Sequence, residues 1–441
     1  MGLERYAGRR VGVLGMGRSG IAVARALAAA GAEVLAFDDR PEAIAPPLRA
    51  GRIADVPDLA LLVPSPGVPL AHPVTAAARS AGVPVRGDVD LFAETLGTRP
   101  IVGITGTNGK STTTALVHHL LRAAGVDASM GGNIGRPVFE LEPGPTDRVF
   151  VLELSSFQLD LCDTMRCRVA AWLNLTPDHL DRHGDLAGYV AAKERIFRVQ
   201  RDGDRAVVGI DDEPGRAVAD RLGRAGREVR TVSLTGAADV TVVDGRLYED
   251  EVAIRDLRLL DNLRGRHNRQ NIAVAYAAVR ALGLTPEQAV AGLASFQGLP
   301  HRMEQVARAG SVLWVNDSKA TNPDAAEKSL TSFSDIFWIA GGKPKPGGFG
   351  SLRPALGGVR AGYLIGTAAE EIAADLGDLV PLREVGTLEV AIREASAAAR
   401  ASGVAEATVL LAPACASFDQ FANFEARGDR FRVLAQAEAA A

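Results

Sequence analysis

The stretch "IVGITGTNGKSTTTALVHHLLRAAG", residues 101–125, constrains the fold of this chain more than any other. An apolar run enters a turn marked by Gly103, Gly106 and Gly109, and Lys110-Ser111 then open a segment of good helix formers. A strand that passes through a glycine turn straight into a helix is half of a βαβ unit, and such units bury their strands in parallel sheets. The turn also carries chemistry. Glycines allow backbone N–H groups to converge on a polyphosphate, and the helix N-terminus adds partial positive charge. Gly106, Thr107, Asn108, Gly109, Lys110, Ser111, Thr112 and Thr113 would form that cradle, with Lys110 against the β and γ oxygens and the Ser111 hydroxyl on Mg²⁺. The spacing departs from the usual pattern at one place, because the first glycine belongs where this chain has Ile104. The plainer alternative is a tight turn whose lysine is merely solvated.

The same alternation runs the length of the chain. "RVGVLG" reads as a strand, Ser19 as the cap of a helix over 20–30, and "EVLAFD" as the next strand. "LALLVPSPG" and "GVPVRGDVDLF" continue the rhythm until Gly97 and Pro100 mark a boundary near 98. After the phosphate-type turn, "RVFVLELSS" and "RVAAWLNLT" read as doubly buried strands. "DVTVVDGRLYEDEVAIRDLRL" switches to alternation around an Asp-Gly turn, the pattern of an antiparallel hairpin. "NIAVAYAAVRALG" and "TPEQAVAGLASF" read as helices, the second capped by Thr285. From about 299, "SVLWVNDS", "DIFWIAGG", "AGYLIG" and "TVLLAP" are four strands between helical segments. At 441 residues the chain suits about three domains, and the blocks predict three α/β domains over 1–97, 98–298 and 299–441.

Composition excludes several classes. A formal net charge of −4 gives no reason to expect nucleic acid or an anionic membrane surface as a partner. Neither a secretory signal in "MGLERYAGRR" nor a run of ~20 apolar residues is present, so the expectation is a cytoplasmic protein without membrane insertion. Three cysteines, Cys162, Cys167 and Cys415, form no disulfide framework and show no metal-ligand spacing.

A second glycine motif points elsewhere. "GMGRSG" is Gly15-x-Gly17-x-x-Gly20, and Asp38 follows where a ribose-binding acid stands in a dinucleotide fold. Alone the signal is weak, because such glycines also serve a tight turn and close helix–strand packing. Asp38 can equally just end a strand.

In order and spacing, "GITGTNGKST", "ELSSFQL", "NLTPDHLDRH", "YVAAKERIF", "GRHNRQNIAVA", "GLPHRMEQV", "NDSKATNPDA" and "APACASFDQFANFE" resemble the ATP-dependent Mur ligases over essentially the whole chain. "NDSKATN" and "SFDQFANFE" resemble the D-glutamate-adding branch. The resemblance implies a Rossmann-like N-terminal domain, a central P-loop-type ATP-binding domain and a Rossmann-like C-terminal domain. It implies an amide ligase of peptidoglycan precursor synthesis that uses ATP and two Mg²⁺ ions. UDP-N-acetylmuramoyl-L-alanine and D-glutamate would be its small-molecule substrates, joined through an acyl phosphate by a monomer. On this reading the "GMGRSG" loop holds a uridine diphosphate, with no nicotinamide beyond it.

The resemblance then assigns residues. Arg18, Ser19, Asp39 and Arg40 face the uridine diphosphate, and Asn133 reaches phosphate or substrate amide. Glu153, at the carboxyl end of a strand, joins Ser111 on one Mg²⁺, a hard ion suited by oxygen. His179 and Lys193 hold the second Mg²⁺, with Lys193 carbamylated by CO₂. That reaction needs a neutral amine, so the lysine pKa must be depressed by neighbours or burial. Asn268 and Asn271, three apart, suit an adenine edge with their donor and acceptor atoms. Arg302 reaches the γ-phosphate and Asp317 the ribose. Lys319 is a catalytic candidate. Thr321, Lys345, Ser417, Phe418 and Phe424 line the pocket for the amino acid. Ordinary roles, as solvated helix positions, caps or core packing, stand beside each of these.

Other readings stay open. A related ligase could add L-glutamate or another amino acid, or be of the folylpolyglutamate type, since residue types do not report chirality. An NAD-dependent oxidoreductase would use "GMGRSG" but leaves "GTNGKST" unexplained. A regulator without catalysis is opposed by the intact Lys110, Glu153, His179 and Lys193.

Overall fold

Strands rich in valine, isoleucine and leucine demand cover on both faces, and that demand organises the molecule. The computed structural model describes residues 2–260 and 263–441. It divides into two compact units, Met1–Leu257 with Gln270–Leu293, and Arg258–Arg269 with Ala294–Ala441. Among the described residues the first unit carries two sheets and the second carries one.

The smaller sheet of the first unit runs Arg49–Ala50, Glu33–Phe37, Arg10–Leu14, Leu61–Pro64, all parallel. This is the 3-2-1-4 order of a Rossmann-type half. The helix after "RVGVLG" spans Arg18–Ala29, and its cap is Gly17 with no side-chain hydrogen bond. The expected Ser19 cap is therefore corrected. Gly20 is required where the helix crosses the loop, because a Cβ there would stand 1.9 Å from the Gly15 carbonyl oxygen.

The larger sheet has nine strands, in the order Val252–Asp256, Arg246–Glu249, Val240–Val243, Val229–Ser233, Arg205–Gly209, Val169–Trp172, Ile101–Thr105, Val149–Glu153, Ala128–Gly132. Its strands from Val240–Val243 through Ala128–Gly132 are parallel, and the other two continue it as antiparallel hairpins. Asp244 and Gly245 turn the first hairpin with φ of 47° and 75°, the pair of positive angles that an Asp-Gly turn provides. Gly103 lies inside the strand Ile101–Thr105 rather than in the turn, and glycine is needed there because a Cβ would meet Cys167 Sγ at 2.6 Å. Thr285 caps its helix as expected, accepting from the Gln288 N–H.

The sheet of the second unit runs Glu304–Ala309, Val312–Asn316, Ala407–Leu411, Ile336–Gly341, Val359–Ile365, Leu382–Gly386. Only the Glu304–Ala309 pairing is antiparallel. Four of these strands are those read from the sequence. The two edge strands are more polar and more exposed, so their apolar pattern is weak. Trp314 and Trp338 are fully buried here, their indole N–H groups donating to Ser396 Oγ at 2.9 Å and the Ala412 carbonyl at 2.8 Å. Among the described residues no helix is long and apolar enough to cross a membrane.

Candidate functional site

The strand Ile101–Thr105 ends just before Gly106, and the helix Lys110–Ala123 starts after Gly109. Gly109 has φ of +84°, and a Cβ there would lie 2.2 Å from Asn271 Oδ1. The loop between them is braced from outside. Asn174 accepts the Thr107 N–H on its carbonyl and the Asn108 N–H on its Oδ1, both at 2.9 Å. Thr107 Oγ1 donates to the Thr176 carbonyl at 3.2 Å. Thr113 Oγ1 donates to Asn271 Oδ1 at 3.2 Å. Lys110 folds back over the loop, its Nζ donating to the Gly106 and Thr107 carbonyls at 3.0 and 2.9 Å. Thr112 is half-buried, and the Ser111 side chain is buried at the first turn of the helix.

Glu153 ends the neighbouring strand, paired opposite Ile104. It is 2% exposed; its Oε1 accepts from Asn133 Nδ2 at 2.7 Å, and its Oε2 is buried without a hydrogen-bond partner. Lys193, on the helix Leu186–Glu194, is 1% exposed and donates to the same Gly106 carbonyl as Lys110, at 2.7 Å. Burial first, and then the Lys110 ammonium, pull its amine down to about 6 from an ordinary 10.5. This is the depressed amine that carbamylation requires. His179 has a left-handed φ of 53°, heads the short helix Leu180–His183, and lies with its ring 4.8 Å from that of Phe157.

These donors fit a hard cation. A buried, unpartnered carboxylate oxygen and a buried hydroxyl at a phosphate-type loop are the ligands Mg²⁺ favours, alongside phosphate and water oxygens. Among the described residues no group of three or more His, Cys, Asp or Glu side chains is gathered for a metal. An ion at Glu153 would need Ser111 and ligand oxygens to complete its shell.

A cavity of about 770 Å³ opens within the first unit, tied to Glu153 through its lining residue Asn133. It is lined by residues of both sheets' loops, among them Gly17, Arg18, Ser19, Asp39, Arg40, Ser65 and Asn133. Arg18 donates to the Gly135 carbonyl at 2.7 Å, and Arg182 to the Val68 carbonyl at 2.7 Å, so the two sheets share its walls. Asp38 turns inward and accepts the Met16 and Arg40 N–H groups at 2.6 and 3.0 Å. Burial pushes this carboxyl up, but those hydrogen bonds outweigh it and hold the group below its ordinary range. Asp38 thus lines the cavity while both its oxygens brace the loop, which weakens its use as a dedicated ribose acid. Asp39 is exposed and accepts from His72 Nε2 at 3.1 Å; His72 Nδ1 accepts the Val74 N–H, which fixes the proton on Nε2.

The second unit carries the remaining candidates. Asp317 is buried, bonded to the Ser329 hydroxyl, and raised to about 6, mainly by burial and against the pull of Ser329 and Arg302. Arg302 follows His301, whose φ of 62° and buried ring fix the backbone at that point. The Lys319 N–H donates to the His301 carbonyl at 3.0 Å, and its Nζ stands 3.8 Å over the Phe424 ring. Thr321 follows in the same loop, its N–H donating to the Lys319 carbonyl at 2.8 Å. Ser417 is buried, Phe418 is 70% exposed, and Lys345 is exposed on its glycine–proline loop. Asn268 donates to the Arg264 carbonyl at 2.8 Å. The helix Arg266–Ala281 crosses the division between units, so Asn268 and Asn271 belong to different ones.

Reasoning from residue types missed Asn174, His72, His301 and Arg427. Asn174 and His301 lie inside motifs quoted for other residues, and only that adjacency signals them.

Comparison with known proteins agrees with this geometry. Residues 104–279 match the Mur ligase middle domain and residues 301–415 the Mur ligase glutamate ligase domain. The UDP-N-acetylmuramoylalanine–D-glutamate ligase of Nitrobacter hamburgensis is 50% identical, over 98% of this chain and 97% of its own. That of a Caulobacter species is 47% identical, over 97% and 96%. The solved MurF ligase of Thermotoga maritima in complex with ADP shares the fold with a TM-score of 0.62 at 18% identity, over 99% of this chain and 96% of its own. The phosphate loop, the buried acid and lysine beside it and the matched relatives lead to one conclusion: the chain belongs to the Mur ligase family.

Proposed function

We propose that this chain joins D-glutamate to UDP-N-acetylmuramoyl-L-alanine, converting ATP to ADP and phosphate, as a cytoplasmic monomer of peptidoglycan precursor synthesis. The observation that carries the reading is the bond from Asn133 to Glu153. It ties a residue of the 770 Å³ cavity to the buried acid beside the phosphate loop, so a nucleotide-linked carboxylate and a triphosphate have adjoining seats. The division of labour follows 1–97 for the uridine diphosphate, 98–298 for ATP and 299–441 for the amino acid.

A carboxylate resists attack by an amine because of its charge and resonance. Transfer of the γ-phosphoryl group turns it into an acyl phosphate, which the amine of glutamate attacks before phosphate leaves. Lys110 and Arg302 neutralise charge on the transferring oxygens. Gly106 through Thr113, with Asn268, Asn271 and Asp317, seat the nucleotide; Arg18, Ser19, Asp39, Arg40, Asn133 and His179 seat the other substrate. Ser111 and Glu153 would hold one Mg²⁺, and His179 with a Lys193 carbamate the second; these ions supply charge neutralisation at the phosphates. Lys319 stands beside the acceptor pocket of Thr321, Lys345, Ser417, Phe418 and Phe424, whose cations suit two carboxylates.

The test is phosphate release from ATP with UDP-N-acetylmuramoyl-L-alanine, comparing D- and L-glutamate. Release that requires both the nucleotide substrate and the D-isomer is expected. Release indifferent to both would leave a generic ATPase, and equal use of L-glutamate would move the chain to another branch of the family.

A further inference from the structure

Arg427 reads in sequence as one more cation on the helix Phe424–Ala440, yet it is 1% exposed. Its five N–H groups meet five acceptors. Nε donates to Ser318 Oγ at 3.0 Å; one terminal nitrogen donates to the Ser318 and Cys415 carbonyls at 3.0 and 3.1 Å; the other reaches the Gly341 and Ala416 carbonyls at 3.4 Å each. None of these acceptors is a carboxylate. Burial lowers the guanidinium to about 10, so it stays charged at neutral pH.

The acceptors lie at the carboxyl ends of three adjacent parallel strands, Val312–Asn316, Ala407–Leu411 and Ile336–Gly341, or in the loops that follow them. Ligands of open α/β sheets bind at this end. The same loops carry Lys319 and Thr321, Ser417 and Phe418, and Lys345. They are also tied to one another. Lys343 and Ala416 exchange backbone hydrogen bonds at 2.8 and 3.0 Å, and Ser318 Oγ donates to the Phe424 carbonyl at 2.8 Å. Gly342 has φ of +132°, and a Cβ there would stand 2.3 Å from the Ala416 carbonyl oxygen and 3.1 Å from the Arg427 guanidinium. A planar fork of five fixed donors can template three loops at once, which the three rotating donors of a lysine cannot.

We infer that Arg427 is the positioning residue of the amino-acid pocket: it sets the three loops in register, and its charge, hydrogen-bonded to no carboxylate and met by Asp419 only through space, biases the pocket toward an acidic acceptor. The inference rests on the reading above that this unit takes glutamate. A buried charge acts through a lower effective dielectric than a surface one, so a pocket above it feels it more strongly.

Steady-state kinetics of Arg427→Lys, Arg427→Met and Ser318→Ala test it. The expected result is a KM for glutamate raised at least about tenfold in both Arg427 variants and about threefold in Ser318→Ala, with KM for ATP within about twofold. Preference for glutamate over glutamine should survive in Arg427→Lys and fall in Arg427→Met. A fall in kcat or thermal midpoint with an unchanged KM for glutamate would overturn the inference, as would an equal rise in KM for ATP. If the Arg427 variants do not fold, Ser318→Ala decides alone. A wild type inactive with glutamate sinks the substrate reading instead. Loop register is then read from hydrogen exchange in Ser318→Ala, where the amides of Lys319, Lys343 and Ala416 should all exchange faster, and unchanged rates at the latter two would overturn it.

Discussion

Lys193 and Asp317 show how far residue identity falls short of residue state. A solvated lysine is almost wholly protonated at neutral pH, whereas burial and Lys110 bring Lys193 to about 6. The neutral, CO₂-reactive amine therefore dominates above about pH 6 and declines below it. Incubation with ¹³C-bicarbonate should give a carbamate resonance at pH 8 that fades as pH falls through 6 and is absent in Lys193→Ala. That variant should lose activity by on the order of a hundredfold and recover part of it with added short-chain carboxylic acids; full activity without additive would remove Lys193 from the site. Asp317 has the opposite sign for an acid: its folded pKa is raised from 3.8 to about 6. The buried charge costs nothing below the unfolded value, grows costlier between 3.8 and 6, and costs most above 6. Asp317→Asn should thus gain up to about 3 kcal/mol of stability at pH 8 and little at pH 4, by denaturant melts at the two pH values. Equal effects at both would show that burial does not raise the pKa of this carboxyl in the folded state. Neither state is legible in a sequence, because neither residue's neighbours are its neighbours in the chain.

Among the elements, the helix Lys110–Ala123 has a left-handed glycine beyond each end, Gly109 and Gly125. Sequence reasoning treats Gly109 as a turn glycine and assigns Gly125 no role. A Cβ on Gly125 meets nothing within 4 Å, but one on Gly109 meets Asn271 Oδ1 at 2.2 Å. Gly125→Ala should cost about 1 kcal/mol, from backbone strain alone, and leave ATP binding unchanged. Gly109→Ala should in addition displace Asn271 and weaken ATP binding tenfold or more by calorimetry; equal behaviour of the two variants would mean that Asn271 does not shape the loop. The interior strands Arg205–Gly209 and Val229–Ser233 went unread, whereas the strands Ile101–Thr105, Val149–Glu153 and Val169–Trp172 and the Asp244-Gly245 hairpin were legible because burial on both faces and positive φ both restrict residue type. The strands Ala128–Gly132, Glu304–Ala309 and Leu382–Gly386 were not, since each lies at a sheet edge where fewer positions must be apolar.

Over the whole molecule, the 770 Å³ cavity draws on two sheets that the sequence presents as separate blocks. Added UDP should slow amide exchange in residues 15–19 and 65–69 and also in 132–137; protection confined to the first two segments would mean that one sheet builds the site unaided. Sequence alone determined the succession of βα units, the phosphate-type loop and the residue types able to do the chemistry, because periodicity and turn chemistry act over a few neighbouring positions. Tertiary structure decided that Asp38 braces its own loop, that Asn271 packs against Gly109, that burial depresses the Lys193 amine and that a buried Arg427 gathers three loops. Those outcomes depend on solvent exclusion and on contacts between distant segments, and no local pattern of residues records either.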